Sequence, residues 1–131
     1  MTYQPDDRNA FLMEPRTAVL STTRRDGSIH AVPVWFSWDG EAFRILTERG
    51  SAKHRNAVRS GRAALCVDER DGRYRYVTSE GTVTVQDPVS YDERLALHTK
   101  YRGAEAAKEV VDRGGHERMV TLVLRPERWL P

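Results

Sequence analysis

Thr17-Ala18-Val19-Leu20-Ser21-Thr22-Thr23-Arg24-Arg25-Asp26-Gly27-Ser28-Ile29-His30-Ala31-Val32-Pro33-Val34-Trp35-Phe36-Ser37-Trp38 is the stretch that sets the class of the fold. Residues 17–23 read as a strand rich in β-branched and hydroxylic side chains. Arg25-Asp26-Gly27-Ser28 reads as a hairpin turn, because Asp-Gly tolerates the positive φ values that tight turns need. Ile29 to Trp38 then forms a long second strand. Pro33 inside it has no N–H to donate, which predicts a bulge or an unpaired edge there. Asp39-Gly40 turns the chain again, into a third strand from Ala42 to Thr47.

Outward from this hairpin pair the period changes and changes back. Ser51 follows Gly50 and caps a helix from Ala52 to about Ser60, which Gly61 ends. Ala63 to Asp68 is a fourth strand. Arg70-Asp71-Gly72-Arg73 is a turn, and Tyr74 to Val85 is a long fifth strand with a break at Gly81. Ser90 caps a helix running through Leu95, Leu97 and Tyr101, and Ala104 to Arg113 is a second helical stretch, broken by Gly114-Gly115. Met119 to Leu124 is the last strand, with Pro126 and Trp129 closing the chain. Upstream, Asp6 and Asp7 cap a short helix carrying Phe11, Leu12 and Met13, and Pro15 ends it. Parallel neighbours need a helical crossover after almost every strand. Six or so strands joined mostly by hairpins therefore exclude a doubly wound sheet. They fit a mainly β (α+β) domain: a small antiparallel barrel with flanking helices.

At 131 residues the chain, 1–131, reads as a single domain. Hydrophobic residues are 39% and charged residues 31%, which excludes a disordered tail. No apolar run approaches the roughly 20 residues of a bilayer span. The N-terminus, Met1 to Asp7, is polar and acidic and shows no signal peptide, so a cytoplasmic protein without membrane partners is expected. Cys66 stands alone, which excludes an internal disulfide framework and a site built on several cysteines. The 21 basic residues against 19 acidic ones give a net charge of +2, too even to suggest a nucleic-acid partner. The distribution says more. Arg49, Lys53, Arg55, Arg59 and Arg62 fall in one segment with no Asp or Glu between them, which suggests a small anionic ligand.

Much chemistry is excluded by what is missing. There is no phosphate-binding loop of the nucleotide-hydrolase type and no dinucleotide fingerprint. The four histidines, His30, His54, His98 and His116, have no metal-ligand spacing, and no metal is expected. Ser21 and Ser37 lack a nucleophile-elbow context. Cys66, in an apolar strand, reads as a buried inert thiol. The acidic pairs Asp68-Glu69 and Asp92-Glu93 are explained by solvation and capping.

Two segments carry a positive signal. In Leu46-Thr47-Glu48-Arg49-Gly50-Ser51-Ala52-Lys53-His54-Arg55-Asn56 a strand ends, a glycine turns the chain, and a serine opens a helix whose second residue is lysine. Free N–H groups and the positive end of the helix dipole point at the same spot as the Ser51 hydroxyl. Lys53, with Arg49, adds full charges. This is a phosphate cradle or, on spacing alone, a capped surface helix with a solvated basic face. In His30-Ala31-Val32-Pro33-Val34-Trp35-Phe36 the central proline leaves backbone groups unpaired on one side. A flat heteroaromatic ring with an amide-like edge would bond to them; the plain alternative is a buried strand with an edge proline.

In this order, and with Ala18 to Thr22, Asp26-Gly27, Ile45-Leu46-Thr47, Leu65 to Asp68 and Tyr76 to Gly81, the chain resembles the flavin-binding split-barrel superfamily typified by pyridoxamine 5′-phosphate oxidase. It is more similar to that superfamily's small deazaflavin-dependent reductases, which use coenzyme F-420. The resemblance runs from about Phe11 to Trp129. It implies an antiparallel split β-barrel that forms a homodimer, with a cofactor groove at the subunit interface. It also implies that Val32, Pro33, Val34 and Trp35 line the tricyclic ring, and that Leu46, Thr47, Ser51, Ala52 and Lys53 hold the phosphate with Arg55 and Asn56 close by. The partner subunit would contribute Tyr76 and Trp129.

Some positions depart from the oxidase pattern. Ala52 stands where a second basic residue is expected, Tyr76 where a glutamine is, and the substrate-binding C-terminal arginine is missing. These argue against pyridoxamine phosphate oxidation. FMN ends at one phosphate, whereas F-420 continues into a tail of carboxylates, which suits a basic segment continuing along the helix. The implied reaction is hydride transfer from reduced F-420 to a planar conjugated small molecule such as an enone, a quinone or a biliverdin-like tetrapyrrole. No catalytic acid stands out, although Tyr76 or solvent would serve, and Trp35, Trp38 and Trp129 would wall the site or pack in the core. An FMN-dependent oxidoreductase and a non-catalytic carrier or sensor are the alternatives. An oligonucleotide-binding barrel is disfavoured by 8% aromatic content and by a basic cluster on a helix rather than a strand face.

Overall fold

A computed structural model describes residues 5–69 and 75–130, with side chains from Asp7 onward. The Arg70–Arg73 turn, Tyr74 and the first four residues lie outside the described residues. The elements are α1 (Pro5–Met13), β1 (Ala18–Thr23), β2 (Ile29–Val34), β3 (Ser37–Trp38), β4 (Phe43–Glu48), α2 (Ala52–Ser60), β5 (Arg62–Asp68), β6 (Tyr76–Gln86), α3 (Tyr91–Arg102), α4 (Ala104–Val111) and β7 (Met119–Leu130). A single 3₁₀ turn, His116–Arg118, leads into β7.

All seven strands form one antiparallel sheet in the order β2-β1-β5-β6-β7-β4-β3. Its two edges, β2 and β3, are separated in the chain by Trp35 and Phe36 alone. A flat sheet of seven strands would hold its edges roughly 28 Å apart at the usual strand spacing. Two residues cannot span that, so the sheet curls until its edges meet, and the result is a split barrel.

The long strand expected from Ile29 to Trp38 is therefore two strands, one on each lip of the split. The hydrophobic alternation runs through the break because Val34, Phe36 and Trp38 all face the core. Pro33 sits opposite Val19 on the β2 edge, in a register that runs unshifted from Ala18↔Val34 to Thr23↔Ile29. Of the two outcomes expected for it, the edge is the one found. β7 continues six residues beyond the expected Leu124 and keeps pairing with β6 through Trp129 and Leu130. Pro126 is accommodated because it faces Gly81, where the β6–β7 register shifts. A Cβ on Gly81 would lie 1.9 Å from the Arg125 carbonyl oxygen, so only glycine permits that approach. α1 begins at Pro5, which puts Asp6 and Asp7 inside the helix rather than at its cap.

Phe36, Phe43, Leu20, Ile45, Leu65 and Leu122 fill the barrel, each almost wholly buried. Each contributes about 1.5–3 kcal/mol by leaving water. α1 closes one end with Phe11 and Leu12, and Trp38 Nε1 donates to Asn9 Oδ1 at 2.8 Å. α2 closes the other with Ala57 and Asn56, whose Nδ2 donates to Thr22 Oγ1 at 3.1 Å. A second small core lies outside the barrel, where Val89, Leu97, Ala107 and Val111 of the α3–α4 region are buried along with Thr121 and Val123 of β7.

Candidate functional site

α3 is fastened at both ends. Near its start Ser90 Oγ accepts the Glu93 amide at 3.0 Å. The Glu93 carboxylate takes Arg44 Nε of β4 at 2.7 Å and the Thr121 hydroxyl of β7 at 3.2 Å. Near its end Lys100 and Tyr101 reach the lip of the split. Lys100 Nζ donates to the Phe36 carbonyl at 2.8 Å and the Leu12 carbonyl at 3.2 Å. Tyr101 Oη accepts the Phe36 amide at 3.2 Å and donates to the Arg16 carbonyl at 2.6 Å. Phe36 lies between two strands and has no ladder partner, so these side chains satisfy its backbone. Burial pulls the Lys100 ammonium down to about 8 and pushes the Tyr101 phenol up to about 12.

Between the two fastenings α3 overhangs a cavity of about 250 Å³ lined by Pro33, Val34, Trp35, Leu46, Lys53, Leu97, His98 and Met119. Five residues singled out in the sequence meet here: Pro33, Val34, Trp35, Leu46 and Lys53. Trp35 is stacked flat on Tyr101, centroids 4.4 Å apart.

The start of α2 is capped as its residues predict. Ser51 has extended backbone, φ −63° and ψ 163°, and its Oγ accepts the His54 amide. The Thr47 and Ser51 hydroxyls are 2.9 Å apart, which links the end of β4 to the helix cap. Ala52 and Lys53 occupy the first two helical positions, whose N–H groups have no acceptor within the helix. Among the described residues Lys53 has no ion-pair or hydrogen-bond partner, and it is one of the residues that line the cavity.

The remaining cations are committed elsewhere. Arg49, expected to add charge to the cradle, instead grips Asp87 through Nε at 2.8 Å and Nη2 at 2.5 Å. That hydrogen bond holds the Asp87 carboxyl below the usual range. Arg62 pairs with Glu127 at 2.8 Å. Arg55 is exposed and donates to the Gly50 carbonyl at 2.6 Å. Asn56 is buried at 5% exposure; its amide holds Thr22, and its carbonyl accepts Arg59 at 3.2 Å.

Other expected residues lie apart. Val32 packs against the barrel core. Trp129 also packs there, edge-on to Trp38 at 5.8 Å, with the Arg8 guanidinium 3.9 Å above its ring. Trp38, weighed as a wall of the site, is core. Tyr76 opens β6 and shares an end of the sheet with Trp129, since Ser79 pairs with Trp129 and Thr78 with Leu130. Met119, at the cavity, begins the strand that carries Trp129 near its end. Trp129 is not among the residues that line the cavity of its own chain.

Leu97, His98 and Met119 were missed by the sequence reading. A signal for His98 was present: Arg94, His98 and Arg102 recur four apart on one face of α3. Burial, then Arg94 and Arg102, hold the His98 imidazole below its ordinary value.

The chain is thus a split barrel with an uncommitted lysine at a helix start, beside a cavity walled by an edge proline and a tryptophan. The chain belongs to the pyridoxamine 5′-phosphate oxidase family, which it matches over residues 5–130. It is 39% identical over 101 residues to an F-420H(2)-dependent biliverdin reductase from Mycobacterium tuberculosis, a match covering 74% of this chain and 72% of the relative. An F-420 reductase structure superposes with a TM-score of 0.78 at 27% identity, over 93% of this chain and 94% of that one. The structure of a conserved hypothetical protein from Mycobacterium tuberculosis superposes with a TM-score of 0.84 over 98% of this chain and 84% of that one, and at 22% identity it bears on the fold alone. Among the described residues no helix is long and apolar enough to cross a membrane, and no group of three or more His, Cys, Asp and Glu is arranged to hold a metal.

Proposed function

We propose that this protein is an oxidoreductase that binds coenzyme F-420 and reduces a planar, conjugated small molecule. The observation that carries this reading is the position of Lys53, an uncommitted cation beside two free helix N–H groups and on the wall of a cavity lined by Pro33, Val34 and Trp35. The F-420-dependent relatives support it. The donor set fits a phosphate diester at Ser51, Ala52 and Lys53, with a flat ring against β2. The exposed Arg55, whose guanidinium donates to the Gly50 carbonyl, is the nearest further cation on α2 to which a carboxylate tail would run; FMN ends at its phosphate. When bound, the reduced deazaflavin supplies the hydride. The chain's own part is to anchor the phosphate, support the ring on the Trp35 side and exclude water beneath α3.

The same reading includes a homodimer. Val19, Ser21, Ala64, Cys66 and Thr78 face outward from β1, β5 and β6, opposite the barrel core, with Arg62, Asp68 and Glu80 on the same face. The helix pair α3–α4 covers β7 instead. A second copy on that face would bring Tyr76 and Trp129, which lie away from their own cavity, toward its neighbour's. The test is to mix the protein with reduced F-420 and a biliverdin, a quinone or an enone, and to follow reoxidation of the cofactor. Protein-dependent reoxidation with one acceptor class is expected. Tight F-420 binding with no turnover on any of them would turn the reading to a carrier or sensor.

A further inference from the structure

Among the described residues that line the cavity, His98 carries an N–H, as do Lys53 and the Trp35 indole, and nothing in the phosphate cradle employs it. Its Nδ1 accepts Arg102 Nε from the next turn of α3, at 3.1 Å. An imidazole nitrogen that accepts a hydrogen bond carries no proton, so the neutral ring has its N–H at Nε2. Trp35 meets the ring edge-on, centroids 5.8 Å apart at 77°, and Trp35 is itself stacked on Tyr101. The Arg102 guanidinium also lies 5.0 Å from the Trp35 ring centre. The imidazole is thus held by a hydrogen bond at one nitrogen and by an aromatic edge.

We propose that His98 is a hydrogen-bond donor of this cavity, its Nε2–H serving an acceptor atom on the edge of the bound ring system, and that Arg102 is the positioning residue that keeps the proton on that nitrogen. This rests on the F-420 reading above. The recognised chemistry is a carbonyl or imine acceptor on a flat heterocycle. A neutral donor suits such an atom, and the cations facing the ring from its own helix, Arg94 and Arg102, oppose protonation of Nδ1. Lys53 of α2 faces the same cavity and is left to the anionic group.

The test combines ¹⁵N imidazole NMR of the apo-protein with F-420 and FMN titrations of wild type, His98→Leu, His98→Gln, Arg102→Met and Lys53→Ala. In the wild type the His98 signals, assigned by their loss in His98→Leu, should show a bare Nδ1 and a protonated Nε2. Arg102→Met should convert them to a tautomer mixture. His98→Leu should weaken F-420 binding about tenfold, the worth of one buried hydrogen bond, with His98→Gln recovering part of it. A proton on Nδ1 in the wild type would overturn the proposal whether or not the variants fold. Unchanged affinity in His98→Leu, with Lys53→Ala still weakened, would overturn it and leave the cofactor reading standing. Binding of neither cofactor by wild type would remove both.

Discussion

Trp35 and Tyr101 stack with ring centroids 4.4 Å apart and planes 1° from parallel. One ring stands on the lip of the split barrel and the other near the end of α3. The cavity wall is therefore not a property of β2 alone; it depends on a helix that begins more than fifty residues later in the chain. The Tyr101 hydroxyl makes the same connection through the Phe36 amide.

Tyr101→Phe keeps the stack and removes the hydroxyl, leaving the Phe36 N–H and Arg16 carbonyl unsatisfied. Urea unfolding should show a loss of about 1–3 kcal/mol. A loss below about 0.5 kcal/mol would mean that water replaces the hydroxyl and that α3 does not hold the lip in this way.

Lys100 gives this lip a pH signature. Its ammonium titrates at about 8 in the folded chain against 10.5 as the ordinary value. Between those values the unfolded chain binds more protons than the folded one, so this group's contribution to stability rises with pH. Below about 8 both states are charged and the burial penalty is present in full. Compared with Lys100→Met, the wild type should gain about 1–2 kcal/mol between pH 8 and 10.5, allowing for solvent at the ammonium. Parallel stability curves for the two proteins across that range would contradict it.

Gly81→Ala should unfold the protein or cost about 4 kcal/mol or more, because the new methyl group would collide with the Arg125 backbone where the register shifts. The melting temperature of the purified variant decides it. A soluble Gly81→Ala protein with wild-type stability would mean that β6 and β7 do not cross so closely.

Asn56 separates packing from binding. The resemblance sets it beside the phosphate, while the structure employs its amide on Thr22 and Arg59. Asn56→Ala should cost about 1–3 kcal/mol of stability. Once the folded fraction is accounted for, its F-420 affinity should change less than that of Lys53→Ala. The reverse order would place Asn56 at the ligand.

The candidate site was legible where its determinants are local. Ser51 and Gly61 bracket α2 at the expected residues, with Gly61 in the left-handed region at φ 68°. Leu46, Thr47, Ser51 and Lys53 are neighbours in sequence as well as in space, so their spacing was enough. The break at Trp35-Phe36 was not legible, because inward and outward faces alternate through it and its backbone partners are Lys100 and Tyr101. The loss of Arg49 to Asp87 has the same origin: a free cation in the sequence finds an acid 38 positions away. His98 is a lone histidine on a helix until that helix is laid across β2 and β4.

In the proposed function Lys53 and the start of α2 anchor the phosphate of a deazaflavin. The most direct measurement is a fluorescence titration of the apo-protein with F-420 and FMN in parallel, wild type beside Lys53→Ala. The wild type should bind F-420 more tightly than FMN, and Lys53→Ala should weaken F-420 binding at least about tenfold, as losing a charge-assisted bond implies. Equal F-420 affinity in the two proteins, or binding of neither cofactor by the wild type, would contradict it.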